Sequence, residues 1–187
     1  MDYSFETERL RVVTSESVIP EELLRYYSEN RSFFERYEPK QPDGFYTLQS
    51  MKDTLSFEAD KILYRQSMYY YFYLKEEPEA ILGTISFVRF RPLPYANVIF
   101  GYDLHKDFQG HGYATEACRG SIDKVLSMFN LHRIETRVAT DNEKSINILK
   151  RLGFSYEGLE KSSIYLEGQF KDHYRYAFIN EKYKTAD

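Results

Sequence analysis

Six residues, Gln109-Gly110-His111-Gly112-Tyr113-Ala114, constrain this chain more than any others, because two glycines stand where an apolar-periodic helix begins. The helix is written in Ala114, Ala117, Cys118, Ser121, Ile122, Val125, Leu126 and Phe129, which recur at three- and four-residue spacing. Glu116, Arg119, Asp123 and Lys124 fall on the opposite face. A chain turning into a helix here leaves backbone N–H groups unpaired, and only glycine lets a bulky anion come close to them. The segment has the form of a pyrophosphate cradle whose helix packs on a core.

Two other phosphate loops do not fit. A nucleoside-triphosphate loop needs GxxxxGK followed by Ser or Thr, and no Lys stands in that place. A dinucleotide fingerprint needs a third glycine where Thr115 stands, and a buried strand where polar His105, Lys106 and Asp107 precede the loop. The spacing follows QxxGxA instead. Three further stretches accompany it in order: Thr7-Glu8-Arg9-Leu10-Arg11 near the start, Asn142-Glu143-Lys144-Ser145-Ile146-Asn147 running to Arg151-Leu152-Gly153-Phe154 and Glu157-Gly158, and then Gly168, Asp172 and Tyr176. Together these resemble the GNAT superfamily of acetyl-coenzyme A (acetyl-CoA) dependent N-acetyltransferases, and within it the branch of ribosomal-protein alanine N-acetyltransferases. The resemblance covers nearly the whole chain.

Composition agrees. At 187 residues, with 42% hydrophobic and 17% aromatic content, the chain suits one domain, residues 1–187, with a sizeable core. It has no apolar run of transmembrane length and no basic-then-apolar leader, which predicts a cytoplasmic protein. The lone Cys118 reads as a buried thiol on the helix's apolar face. A net charge of −4 without a polybasic stretch argues against nucleic acid or membrane as a partner and allows a cationic amine.

Periodicity and punctuation predict a strand near Glu8 to Val13, helical material from Pro20 to Ser28 and from Ser32 to Tyr37, a break at Pro39, Pro42 and Gly44, and a helix from Leu48 to Arg65. Strands Tyr69 to Leu74 and Ile81 to Val88 form a hairpin around Glu76-Glu77-Pro78-Glu79. The run Tyr69-Tyr70-Tyr71-Phe72-Tyr73 puts aromatics on both faces of its strand. A strand from Ala96 to Leu104 leads into the glycine loop and long helix. A strand from Arg133 to Thr140, a helix from Glu143 to Leu152, and strands in Phe154 to Lys161 and His173 to Asn180 complete the order. Hairpins mixed with crossover helices mean a mixed α/β fold. The resemblance implies a central, mostly antiparallel sheet of about seven strands flanked by helices.

It also implies a site. Backbone N–H groups from Gln109 through Gly110, His111, Gly112, Tyr113 and Ala114 would hold the pyrophosphate. The strand Phe100 to Leu104 would splay from its neighbour, so that amides near Tyr102, Asp103 and Leu104 meet the pantetheine and the thioester. Asn142 has the position of an N-cap, and the resemblance adds a contact to the pantetheine arm. Ser145 reads either as a plain first-turn residue or, by resemblance, as a proton donor to the departing thiolate. Phe33, Phe34, Tyr37, Phe87 and Arg89 are candidates for the acceptor rim. Asp103, His105 and Glu58 are candidate general bases, and no motif decides among them. His111 reads as solvent-facing, and no group of His, Cys, Asp or Glu has metal-ligand spacing, so no metal is expected.

The acceptor stays open between the N-terminal α-amine of a protein or peptide, a small amine such as a polyamine, aminoglycoside or amino-acid derivative, and a silent acetyl-CoA-binding module. A homodimer is a further open partner. An α-amine with pKa near 8 costs only about 1.4 kcal/mol to deprotonate at pH 7, whereas lysine near 10.4 costs about 4.6. An N-terminal acceptor therefore asks less of a base.

Overall fold

The computed structural model describes residues 3–184. The strands are β1 (Phe5–Glu6), β2 (Leu10–Thr14), β3 (Met68–Leu74), β4 (Gly83–Arg91), β5 (Asn97–Leu104), β6 (Arg133–Ala139), β7 (Ser155–Leu166) and β8 (Gln169–Ile179). The helices are α1 (Pro20–Phe34), α2 (Leu48–Leu63), α3 (Tyr113–Phe129) and α4 (Glu143–Arg151). One sheet of eight strands runs in the order β1-β2-β3-β4-β5-β6-β8-β7. Every neighbouring pair is antiparallel except β5 with β6.

The aromatic run on β3 divides the core in two. Tyr70 and Phe72 face a cluster with Ala117, Cys118, Ile122 and Val125 of α3, and with Leu149 of α4. Tyr71 and Tyr73 face the other way, onto Leu23, Tyr26, Met51 and Leu55 of α1 and α2. A period-two strand between two helical layers needs large apolar side chains at every position, which explains the dense Tyr and Phe content there.

Gly83 shows how closely β3, β4 and β5 are fitted. It pairs with Phe72 on one side and Leu104 on the other, and a Cβ there would lie 2.2 Å from the Asp103 carbonyl oxygen and 2.3 Å from the Phe72 ring. Backbone cannot yield as a side chain can. Gly83→Ala is expected to lower stability by about 3 kcal/mol, the upper end of ordinary overpacking. That is a fall of roughly 6–12 °C in Tm for a chain of this size, read by thermal melting. An unchanged Tm would show that the three strands are not packed this closely.

The helical material read from Pro20 to Ser28 and from Ser32 to Tyr37 is one helix, α1, closed by a turn through Glu38. Its polar middle misleads because Asn30 is fully buried, donating to the Tyr26 carbonyl and accepting from the Lys106 N–H. The strand count rises to eight through the two-residue β1. The last hairpin is also longer than expected: β7 and β8 continue past a register shift between Glu160 and Ile164 to a turn in which Glu167 and Gly168 both have positive φ. No helix among the described residues is long and apolar enough to cross a membrane.

Candidate active site

The parallel pairing of β5 with β6 lasts only from Asn97 to Ile99, opposite Arg133 to Glu135. Beyond Ile99 β5 loses β6 as a hydrogen-bond partner, and a cleft of about 670 Å³ lies between the end of β5, the start of α4, the glycine loop and the C-terminal end of α1. A parallel strand that diverges this way presents unpaired backbone groups to whatever fills the gap.

The glycine loop forms one wall. Gly110 and Gly112 sit at φ +84° and +81°, and an added Cβ at Gly110 would meet nothing within 4 Å. Gly112 is the N-cap of α3 and provides no side-chain cap, so the first N–H groups of that helix keep no capping partner. This suits a pyrophosphate, which brings charge to the positive end of the helix dipole. Gln109, Gly110, Gly112 and Ala114 line the cleft. His111 and Tyr113 do not line it; their rings stack on each other at 5.5 Å, and His111 is exposed as expected.

The Thr7-Glu8-Arg9 stretch fastens this loop. Arg9 donates from Nη1 to the His111 carbonyl at 3.0 Å, lies over the Tyr113 ring, and ion-pairs with Glu116 at 2.7 Å. Glu116 also accepts from the Thr7 hydroxyl at 2.6 Å and the Arg9 backbone N–H at 2.8 Å. Burial opposes its charge, yet these hydrogen bonds hold the Glu116 carboxyl below the usual range. A sequence motif far from the loop thus fixes it from behind.

Across the cleft, Asn142 accepts from the Ser145 N–H at 3.1 Å. It is the N-cap of α4, as its position predicts, and it lines the cleft. The Ser145 hydroxyl lies 2.7 Å from the Tyr102 hydroxyl of β5. This contact ties the free end of β5 to the first turn of α4, beyond the point where β5 and β6 part. Burial, with Cys118 nearby, pushes the Tyr102 phenol well up, so it stays neutral. Tyr102, Asp103, Leu104, Asn142 and Ser145 all line the cleft.

Phe33, Phe34 and Tyr37 reach the cleft from the end of α1. Phe87 and Arg89 do not, and those two assignments are corrected. Phe87 is fully buried, packed between Tyr70 and Phe100. Arg89 sits exposed at φ +58°, in the irregular end of β4. Phe87 shares the sheet face of Tyr102 but lies deeper, beneath Phe100, and the bulge between Val88 and Arg91 carries Arg89 out to solvent.

Of the three candidate bases only Asp103 lines the cleft. Glu58 lies on the buried face of α2 and accepts from the Tyr71 hydroxyl at 2.7 Å; burial pushes its pKa up to about 7. His105 is buried with Nε2 3.4 Å from a Glu29 oxygen. Sequence reasoning missed Glu38, whose carboxyl and that of Asp103 perturb each other's ionisation. Arg36 was missed too; it reaches 3.9 Å from Asp141 at the cleft mouth. Among the described residues no group of three or more His, Cys, Asp or Glu is placed to hold a metal ion.

A profile of the acetyltransferase (GNAT) domain matches residues 9–155. The chain belongs to the GNAT acetyltransferase family. It is 30% identical over 160 residues to a probable N-acetyltransferase, YjcK, of Bacillus subtilis, covering 86% of this chain and 88% of that one. It is 28% identical over 152 residues to the uS5-alanine N-acetyltransferase of Escherichia coli, covering 81% and 77% of the two chains. The crystal structure of a ribosomal-protein-S5-alanine acetyltransferase from Vibrio fischeri superposes with a TM-score of 0.91 at 30% identity, over 97% of this chain and 99% of that one. As a GNAT enzyme the protein takes its acetyl group from acetyl-CoA. The uncapped start of α3 and the gap beyond Ile99 are consistent with that donor.

Proposed function

We propose that this enzyme acetylates the N-terminal α-amine of a protein or peptide, in the cytoplasm. The observation that carries the reading is the hydroxyl pair of Tyr102 and Ser145, set beyond the parting of β5 and β6 and beside the glycine loop. A thioester lying in that gap, with its pyrophosphate on the loop, would bring its sulfur to Ser145. Loop amides and the α3 dipole hold the pyrophosphate, the Asn142 amide meets the pantetheine arm, and Ser145 protonates the departing thiolate. Phe33, Phe34 and Tyr37 line the side from which the amine enters. Similarity along nearly the whole chain to an S5-alanine acetyltransferase supports an α-amine as the acceptor.

The test is acetyl-CoA consumption with peptides of varied N-terminal residue beside polyamines, aminoglycosides and free amino-acid derivatives. A peptide preference in kcat/KM of at least about tenfold, or about 1.4 kcal/mol of transition-state discrimination, is expected. A preference for one of the small amines would replace this acceptor. Turnover of none of them would end the reading.

A further inference from the structure

Position 30 goes against the local rules of a helix. Asparagine is a poor helix former away from the caps, yet Asn30 stands inside α1 on its buried face with Leu23, Tyr26 and Phe34, and it is 0% exposed. Both ends of its amide are used. Nδ2 donates to the Tyr26 carbonyl at 2.8 Å and Oδ1 accepts the Lys106 backbone N–H at 2.9 Å, a pair of bonds that the flipped amide could not make. The first bond stays within α1; the second leaves it.

That second bond connects the two sides of the cleft. Asn30 shares a helix face with Phe33, Phe34 and Tyr37, three, four and seven residues on, and these line the cleft on the acceptor side. Lys106 stands between Leu104, which ends β5, and Gln109, which opens the glycine loop, and both of those line the cleft too. The same turn of α1 meets the donor side twice more: Lys106 Nζ donates to the Glu29 carbonyl at 2.6 Å, and His105 Nε2 lies 3.4 Å from a Glu29 carboxyl oxygen.

Other supports hold each wall without setting the gap between them. Toward its start α1 is tied by Arg25, which donates to the Glu79 carbonyl at 2.7 Å, and by Glu22, which accepts from the Tyr73 hydroxyl at 3.4 Å. The glycine loop is held from behind by Arg9 at the His111 carbonyl. Arg36 and Asp141 do span the cleft mouth, but an ion pair 3.9 Å long between two mostly exposed side chains holds little.

Acetyl transfer needs that gap fixed. The acceptor nitrogen must come within about 3–3.5 Å of the thioester carbon, and a misplacement of about 1 Å can cost about 100-fold in rate. We infer that Asn30 is a positioning residue for the transfer: by holding the Lys106 N–H it sets the acceptor wall of α1 against the donor-binding loop. The inference rests on acetyl transfer to an amine in this cleft, and it concerns a residue that does not itself line the cleft.

Three variants decide it, assayed with the preferred acceptor of the panel and with acetyl-CoA affinity measured in parallel. Asn30→Ala should lower kcat at saturating acetyl-CoA at least about tenfold while acetyl-CoA affinity holds within about twofold, because the Arg9 clip on the loop is untouched. Lys106→Met removes the exposed Nζ bond and keeps the backbone bond to Asn30, so it should stay within about threefold of wild type. Val125→Ala, a fully buried truncation on α3 in the other half of the core, lowers stability alone and should leave kcat within about threefold. A smaller loss in Asn30→Ala, an equal loss in either of the other two, or a weakened acetyl-CoA affinity would overturn the role. Amide exchange of the wild-type protein serves should Asn30→Ala not fold: the Lys106 N–H should exchange at least about tenfold more slowly than a free amide, and exchange at the free rate would overturn the bond. A wild-type protein that keeps this protection but acetylates no amine would instead end the reading beneath.

Discussion

Gly112→Val is expected to weaken coenzyme A binding by about 100-fold or more while leaving the protein folded. Steric blockade is not the reason, because the new Cβ would point toward the Arg9 guanidinium at an ordinary 3.5 Å. The reason is the backbone. Gly112 stands at φ +81°, where a β-branched residue is a true outlier. A valine would pull the loop toward negative φ and turn the N–H groups at the start of α3 away from the pyrophosphate. Losing two charge-assisted hydrogen bonds of about 1.5–3 kcal/mol each accounts for at least about 100-fold in Kd. The strain itself, about 1–3 kcal/mol, is small beside a whole-protein stability of about 5–15. Calorimetry with coenzyme A, on protein shown folded by circular dichroism, is the measurement. Gly112→Ala should fall between wild type and valine, since alanine tolerates the left-handed region at about 1–2 kcal/mol. Unchanged affinity in a folded valine variant would refute the cradle.

The loop was legible because its chemistry is local. Glycines, an apolar helix and the Asn142 cap each declare themselves within a few residues, and α3 and α4 begin where their punctuation puts them. Gly153, directly after the helix predicted from Glu143 to Leu152, takes φ +88° after α4. What the sequence hid is set by contacts across the fold. Asn30 looks like a helix break until its burial against Tyr26 and Lys106 is seen. Phe87 looks like a rim residue until its packing between Tyr70 and Phe100 in the core is seen. Glu38 and Asp103 lie on α1's closing turn and on β5, so no spacing rule links them, and their effect on each other follows only from how α1 is laid across the sheet. The Thr7 to Arg9 stretch shows both at once: visible as a pattern, its purpose as a clip on the glycine loop emerges only from the bonds it makes to Glu116 and His111.

Ser145→Ala should lower kcat by about 100-fold or more with little change in acetyl-CoA affinity, because a proton delivered to the leaving sulfur belongs to the transition state. Helix damage will not imitate this. The cap bond runs from the Ser145 backbone N–H to Asn142 and survives the substitution, and alanine is the better helix former. Tyr102 sharpens the test. Its hydroxyl is 2.7 Å from Ser145, but burial holds its proton tightly, so it suits orienting the serine rather than supplying the proton in its place. Tyr102→Phe should therefore cost about tenfold, and the double variant should be no slower than Ser145→Ala alone, the non-additive pattern of a residue that acts through another. Additive losses would make the two hydroxyls independent donors. A fall below about threefold for Ser145→Ala would remove the serine from proton transfer, and a raised acetyl-CoA Kd would reassign it to binding.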